Sequence, residues 1–228
     1  GSEMCIRDRD KLHTAGYTGS GMTIAVIDAG FQNVDMNRTF DQARIKGTRD
    51  FVTGVFDYRN SDKHGAQVLS AMLSCWEGMY MGTAPGADYW LLRSEDNDSE
   101  FPVEEDYWTA AIEYADSVGV DIVTSSLGYY TFDDTSMNHY WDELDGRTAY
   151  ISKAAGIGAS KGLLIFSSAG NEGSSLWRKI TFPADVESVI TVGAISRNLR
   201  PSYFTGVGFC QDGRVKPCLL YTSDAADE

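Results

Sequence analysis

Met22-Thr23-Ile24-Ala25-Val26-Ile27-Asp28-Ala29-Gly30 is the stretch that decides the fold. It is short, almost unbroken in its apolar character, and stops at an acid followed by a small residue and a glycine. A strand with one wet face alternates apolar and polar residues; a strand covered on both faces does not need to. The run therefore predicts a strand in a parallel sheet with helices above and below. Similar runs recur at 89–92, 120–124, 163–167 and 189–192.

The segments between these runs read as helices. In 64–75, Val68, Leu69, Met72 and Leu73 recur at helical spacing. The segment 103–118 opens with Glu104, Glu105 and Asp106, acids that suit the positive end of a helix, and sets Tyr107, Ala111, Ile112 and Ala115 along one face. The segment 149–160 is rich in alanine and stops at Lys161-Gly162, a residue pair that suits a C-cap. Alternating strands and helices predict an α/β domain: an open, mostly parallel sheet with helices on both faces. In such sheets the functional side chains gather beyond the carboxyl ends of the strands. The stretch 129–148, rich in Asp and aromatic residues, reads as a surface insertion.

Composition sets outer limits. Of 228 residues, 43% are hydrophobic, enough for one domain with a substantial core. Asp and Glu number 33 against 19 Lys and Arg, a formal charge of −14, which argues against nucleic acid or anionic membrane as a partner. No apolar run approaches the roughly 20 residues that span a bilayer, and the start of the chain is polar rather than like a signal peptide. Met4-Cys5-Ile6-Arg7-Asp8-Arg9 and the segment 218–228 resemble translated sequencing-adapter read-through. The expectation is a non-native leader over 1–10, a partial domain over 11–217 that is C-terminally incomplete, and a non-native tail over 218–228. Of the cysteines Cys5, Cys75, Cys210 and Cys218, only Cys75 and Cys210 then remain, too few to define a disulfide framework.

Three residues stand out chemically. Asp28 ends the deciding strand; acids in that place also occur in phosphate-handling domains or simply cap a turn. His64 opens a helix of small and apolar residues, where a buried start and a positive helix end both favour the neutral imidazole that a general base requires. Asn171 lies in Ser167-Ser168-Ala169-Gly170-Asn171-Glu172-Gly173 after an apolar strand. Its amide could donate to a developing oxyanion, and turn asparagines are common.

Their order and company say more than each alone. Gly19 to Gly30, His64-Gly65-Ala66-Gln67-Val68, Gly82 to Ala87, Ser125-Ser126-Leu127-Gly128, Ser168 to Gly173, Phe182-Pro183-Ala184, Val189 to Ala194 and Gly206 to Pro217 together resemble the subtilisin-like serine proteases, over roughly residues 16 to 217. The resemblance implies a peptidase acting through an Asp-His-Ser triad. It makes Asp28 the residue that orients and stabilises the imidazolium, His64 the base and then the acid, and Asn171 the oxyanion donor. Ser125, Ser126, Leu127 and Gly128 become one wall of the substrate groove, pairing with the substrate backbone. Ala169 and Gly170 line the opposite wall. It further implies a polypeptide substrate, a monomer when complete, and a secreted or cell-surface location. Calcium is implied only as a structural ion frequent in the family; Asp133, Asp134 and Asp142 read as a solvated loop, and neither they nor any other residues are assigned as a metal site.

Departures from the family pattern matter as much. Ala66 stands where the family usually has threonine, and Phe209 where it usually has proline. No glycine-threonine-serine follows Lys216-Pro217. Tyr221-Thr222-Ser223-Asp224 imitates that motif but comes so soon after Pro217 that it leaves no room for an intervening strand. The expectation is a fragment without its nucleophile, inactive as written. Two other readings compete. One is a pseudo-protease that binds peptides without cutting them. The other is a phosphate-binding α/β domain using Asp28, which would need a glycine-rich loop that Asp28-Ala29-Gly30-Phe31-Gln32 lacks.

Overall fold

The fold is taken from a computed structural model of the chain, which describes residues 3–59, 62–76, 78–196 and 198–222. Helix α1 spans Glu3–Thr14, α2 His64–Leu73, α3 Val103–Ser117 and α4 Tyr150–Ser160. The strands are β1 Thr23–Asp28, β2 Ile45–Asp50, β3 Cys75–Trp76, β4 Tyr80–Met81, β5 Asp88–Arg93, β6 Ile122–Ser125, β7 Leu164–Ser168, β8 Ile190–Ile195, β9 Gly208–Phe209, β10 Val215–Lys216 and β11 Leu219–Thr222. Seven of them form one sheet in the order β11-β8-β7-β6-β1-β5-β2, and every pairing in it is parallel. The remaining four make two short antiparallel ribbons, β3 with β4 and β9 with β10.

Strand β1 explains why the sheet needs two helical layers. Ile24 and Val26 face a cluster with Leu69 and Leu73 of α2 and Tyr89 and Leu91 of β5. Ala25 and Ile27 face the other way, into a cluster with Trp108, Ala111 and Ile112 of α3 and Ala154 and Ala155 of α4. Each buried Val, Leu or Ile contributes about 1.5–3 kcal/mol relative to exposure, so neither face of β1 can be left wet. Two glycines set how closely the layers approach. A Cβ on Gly158 of α4 would lie 2.7 Å from Ile112 Cγ2 of α3. One on Gly65 of α2 would lie 2.5 Å from Gly30 O and 2.8 Å from Asp28 Cβ. The second contact seats the start of α2 directly on the end of β1.

One omission and one expectation need correction. The polar strand β2 was not foreseen: it is an edge strand, with exposed residues between its half-buried ones. Residues Glu3–Thr14 form α1, which does not bear on whether 1–10 is a leader of foreign origin. A strand does fit directly after Pro217, because β11 begins at Leu219 and pairs with β8; Ser223 lies outside the described residues. The segment 129–148 is largely exposed, as a surface insertion would be, and a few of its residues anchor it to the core. Tyr129 pairs with Phe182, and Tyr129, Phe132 and Leu144 are buried. The described cysteines Cys75, Cys210 and Cys218 are free thiols.

Candidate active site

Asp28 is the last residue of β1 and is fully buried. Its Oδ1 accepts from the Ala29 N–H at 2.8 Å and lies 2.8 Å from His64 Nδ1. Its Oδ2 is buried without a hydrogen-bond partner among the described residues. His64 is the first residue of α2, and its own N–H donates to Asp62 Oδ1 at 2.6 Å. With Nδ1 as the proton donor to Asp28, Nε2 is the basic nitrogen of the neutral ring.

The His64 ring is not buried: its side chain is 49% exposed. The hydrogen bond to Asp28 raises its pKa, burial opposes this, and the charges of Asp28, Asp62 and Glu95 add to the rise. The local expectation of a neutralising helix start is thus overruled by a carboxylate in contact. Burial lifts the Asp28 carboxyl, and the bond from His64 pulls it back.

The other predicted site residues follow the ends of β6 and β7, on the carboxyl edge that also holds Asp28. Ser125 is buried, and its Oγ accepts from Trp108 Nε1 at 2.9 Å, so its hydroxyl belongs to the core. Leu127 is buried in the larger cluster, Ser126 is partly exposed and Gly128 is exposed. Residues 125–128 can therefore offer a ligand mostly backbone. After β7, Ala169 is buried and donates its N–H to Val192 O at 2.8 Å. Gly170 has φ +78°, a left-handed turn that favours glycine. Asn171 is exposed and opens a 3₁₀ turn, Glu172–Ser174, held to the 129–148 segment by Tyr130 Oη donating to Glu172 Oε2 at 2.8 Å. The structure joins Asp28 to His64 directly and sets Asn171 two strands away along the same edge.

Sequence reasoning missed an acidic depression beside this edge. Residues 95–100 and Asp133 border about 250 Å³ just beyond β5. One carboxylate oxygen each from Glu95, Glu100 and Glu104 lie within 4.8 Å of one another. Burial pushes Glu95 up to about 8 and Glu100 up to about 7, and raises Glu104 as well. Tyr129 Oη donates to Glu95 Oε2 at 2.7 Å. Carboxylates this crowded share protons or hold a cation. The visible signal was Glu95-Asp96-Asn97-Asp98-Ser99-Glu100 directly after a strand. A larger depression of about 470 Å³ lies at the opposite edge, at the amino ends of β6 and β7, away from the Asp28–His64 pair.

A buried Asp in hydrogen-bond contact with a half-exposed His, at the carboxyl edge of a parallel sheet, is an arrangement that lets an imidazole serve as a base. The comparisons then give the family. A model described as the subtilase family matches residues 19–225, and the chain belongs to that family of serine proteases. It is 28% identical over 200 residues to Subtilisin NAT of Bacillus subtilis subsp. natto, covering 86% of this chain and 47% of that protein. It is likewise 28% identical over 196 residues to a subtilisin of Bacillus pumilus, covering 84% and 63%. The chain thus spans about half to two thirds of the length of these relatives. Two solved structures share the fold at 21% identity. The prenylagaramide maturation protease PagA has a TM-score of 0.65, with 89% of this chain and 64% of that one covered. MycP1 with its N-terminal propeptide removed has a TM-score of 0.64, with 89% and 67% covered.

Proposed function

We propose that the protein is a serine endopeptidase of the subtilisin type, cutting polypeptide substrates through an Asp-His-Ser triad. The observation that carries the proposal is the 2.8 Å contact between Asp28 Oδ1 and His64 Nδ1. That contact fixes the ring so that Nε2 can take the proton of an attacking serine hydroxyl and then pass it to the leaving amine. Asn171 is the side-chain donor to the oxyanion. Ser125 to Gly128 pair with the substrate backbone, opposite Ala169 and Gly170. In this reading the nucleophilic serine is not among the residues given, and these residues alone turn over no peptide. The complete enzyme works as a monomer, outside the cell or on its surface.

The test is to express the unbroken reading frame and measure peptide hydrolysis together with labelling by a fluorophosphonate probe. Activity and labelling at a serine downstream of Pro217, both abolished by His64→Ala, are expected. A complete reading frame that folds, binds peptides and cuts none would mark the protein as a peptide-binding relative instead. Clean labelling of Ser223 in the 228-residue chain would overturn the placement of the nucleophile.

A further inference from the structure

Three neighbouring strands of the sheet end in charged residues at one level. Asp28 closes β1, Arg93 closes β5 and Asp50 closes β2, and the register sets Arg93 opposite both acids. The Arg93 side chain is only 13% exposed, and its guanidinium forks. Nη1 donates to Asp50 Oδ2 at 2.9 Å, and Nε donates to Ala29 O at 3.0 Å. Asp50 is buried and held in turn: it accepts the N–H groups of Val52 and Thr53 at 2.8 and 2.9 Å and the Thr53 hydroxyl at 3.0 Å. Burial raises the Asp50 pKa, but the bonds from Thr53 and Arg93 outweigh it, and the net direction is down. The fork is thus anchored to an ionised carboxylate.

Ala29 is where the fork meets the site. Its N–H donates to Asp28 Oδ1 at 2.8 Å, the same oxygen that lies 2.8 Å from His64 Nδ1. The next carbonyl, that of Gly30, is the one against which Gly65 seats the start of α2. One turn of backbone therefore carries both the anchor of the carboxylate and the seat of the helix that presents the imidazole. A planar guanidinium bonded to two partners fixes their relative position in a way that a flexible ammonium does not. We propose that Arg93 is a positioning residue for the Asp28–His64 pair: braced by Asp50, it fixes the Ala29 carbonyl and with it the direction in which Asp28 faces His64. Arg93 makes no hydrogen bond to either member of the pair among the described residues and acts through the backbone between them. The inference rests on the proposed function only where it treats the pair as the proton-handling part of a peptidase.

The test is proton NMR of the 228-residue chain, reading the low-field signal of the His64 Nδ1 proton and the His64 titration midpoint. Arg93→Met keeps the reach of the side chain and removes both donors. It should lose the low-field signal and move the midpoint down, because the contact with Asp28 loosens. Loss of a nearby cation would by itself move the midpoint up, so the sign separates lost position from lost charge. His139→Gln weakens the fold at a different contact and should leave both readings at their wild-type values. Should Arg93→Met not fold with Asp50 left unpaired, the double variant Arg93→Met, Asp50→Asn removes both buried charges and should show the same two changes. In the unbroken reading frame, Arg93→Met should lower kcat about 10²-fold with KM unchanged. A folded variant whose signal is retained and whose midpoint is unchanged or raised would overturn the inference and leave the peptidase reading standing. If the unbroken reading frame cuts no peptide, the peptidase reading fails, and the two NMR readings still decide the role of Arg93.

Discussion

The His139 ring is clamped between two acids: its Nε2 lies 2.7 Å from Glu105 Oε1 on α3, and its Nδ1 lies 3.3 Å from Glu143 Oε2. Both nitrogens facing carboxylates is the arrangement of a protonated imidazolium. The ring also lies 4.5 Å from the Phe182 ring and 5.6 Å from Phe132, centroid to centroid. It therefore fastens the 129–148 segment to the helical layer and to Phe182.

This contact makes stability depend on pH. Burial lowers the His139 pKa, but Glu105 and Glu143 outweigh it, and the net direction is up from 6.5. A pKa raised by folding means that the folded state binds more protons. The His139 contribution is therefore complete below about pH 6.5 and is lost as pH rises through the raised folded value. Urea unfolding at pH 6 and pH 9 should show this loss in the wild type and a smaller one in His139→Gln. Removing one partner of such a buried pair should cost about 3 kcal/mol at pH 6. An identical pH dependence in the two proteins would mean that His139 is not charged.

Glu95 should act in the same direction over a wider window. Its carboxyl is pushed by burial from the ordinary 4.5 up to about 8. Its contribution is complete below about 4.5 and is lost as pH rises through about 8, where a buried carboxylate must ionise beside Glu100 and Glu104. Glu95→Gln, which keeps the shape and cannot ionise, should flatten the fall in melting temperature between pH 5 and pH 9. An unchanged slope would show that Glu95 is already ionised at pH 5.

The Asp28–His64 pair can be read by NMR. The hydrogen bond that His64 donates to Asp28 is the largest cause of the raised His64 pKa. Asp28→Asn keeps a side chain of the same shape but removes the charge. The His64 titration midpoint should move down in this variant. A midpoint that stays put would show that the two side chains are not paired in solution.

Gly65 should be as sensitive as either member of that pair. A methyl at this position meets Gly30 O and Asp28 Cβ inside contact distance, and backbone cannot yield as a flexible side chain can. Gly65→Ala should cost about 1–3 kcal/mol by overpacking and lower the His64 midpoint as α2 is pushed off β1. Loss of stability with the midpoint unchanged would separate packing from the positioning of His64.

The fold was legible where burial is two-sided. β1, β5, β6, β7 and β8 announce themselves as apolar runs because helices cover both faces, and α2, α3 and α4 announce themselves by spacing. The edge strand β2 carries Lys46, Gly47, Thr48 and Arg49, with no apolar run to betray it. Asp28 and His64 were legible because each sits in a short motif whose neighbours are small for a geometric reason, as Gly65 shows. Glu104 and Glu105 read only as acids at a helix start. In the structure Glu104 accepts the N–H of Asp96 at 2.7 Å and Glu105 holds His139. Those roles depend on partners brought together from distant segments, which local pattern cannot register.

The position of β1 has a consequence for how the chain is made. Both of its neighbours are synthesised long after it: Thr23 pairs with Asp88, and Ile27 with Ser125. While residues 29–87 leave the ribosome, β1 has no partner on either edge, and the face that α3 and α4 cover has no helix over it. Non-local pairing of this kind is slow and leaves sticky surface exposed. The nascent chain must therefore carry Thr23–Asp28 in a shielded or loosely collapsed form until Ser125 has emerged, and only then can the Asp28–His64 pair be locked into place.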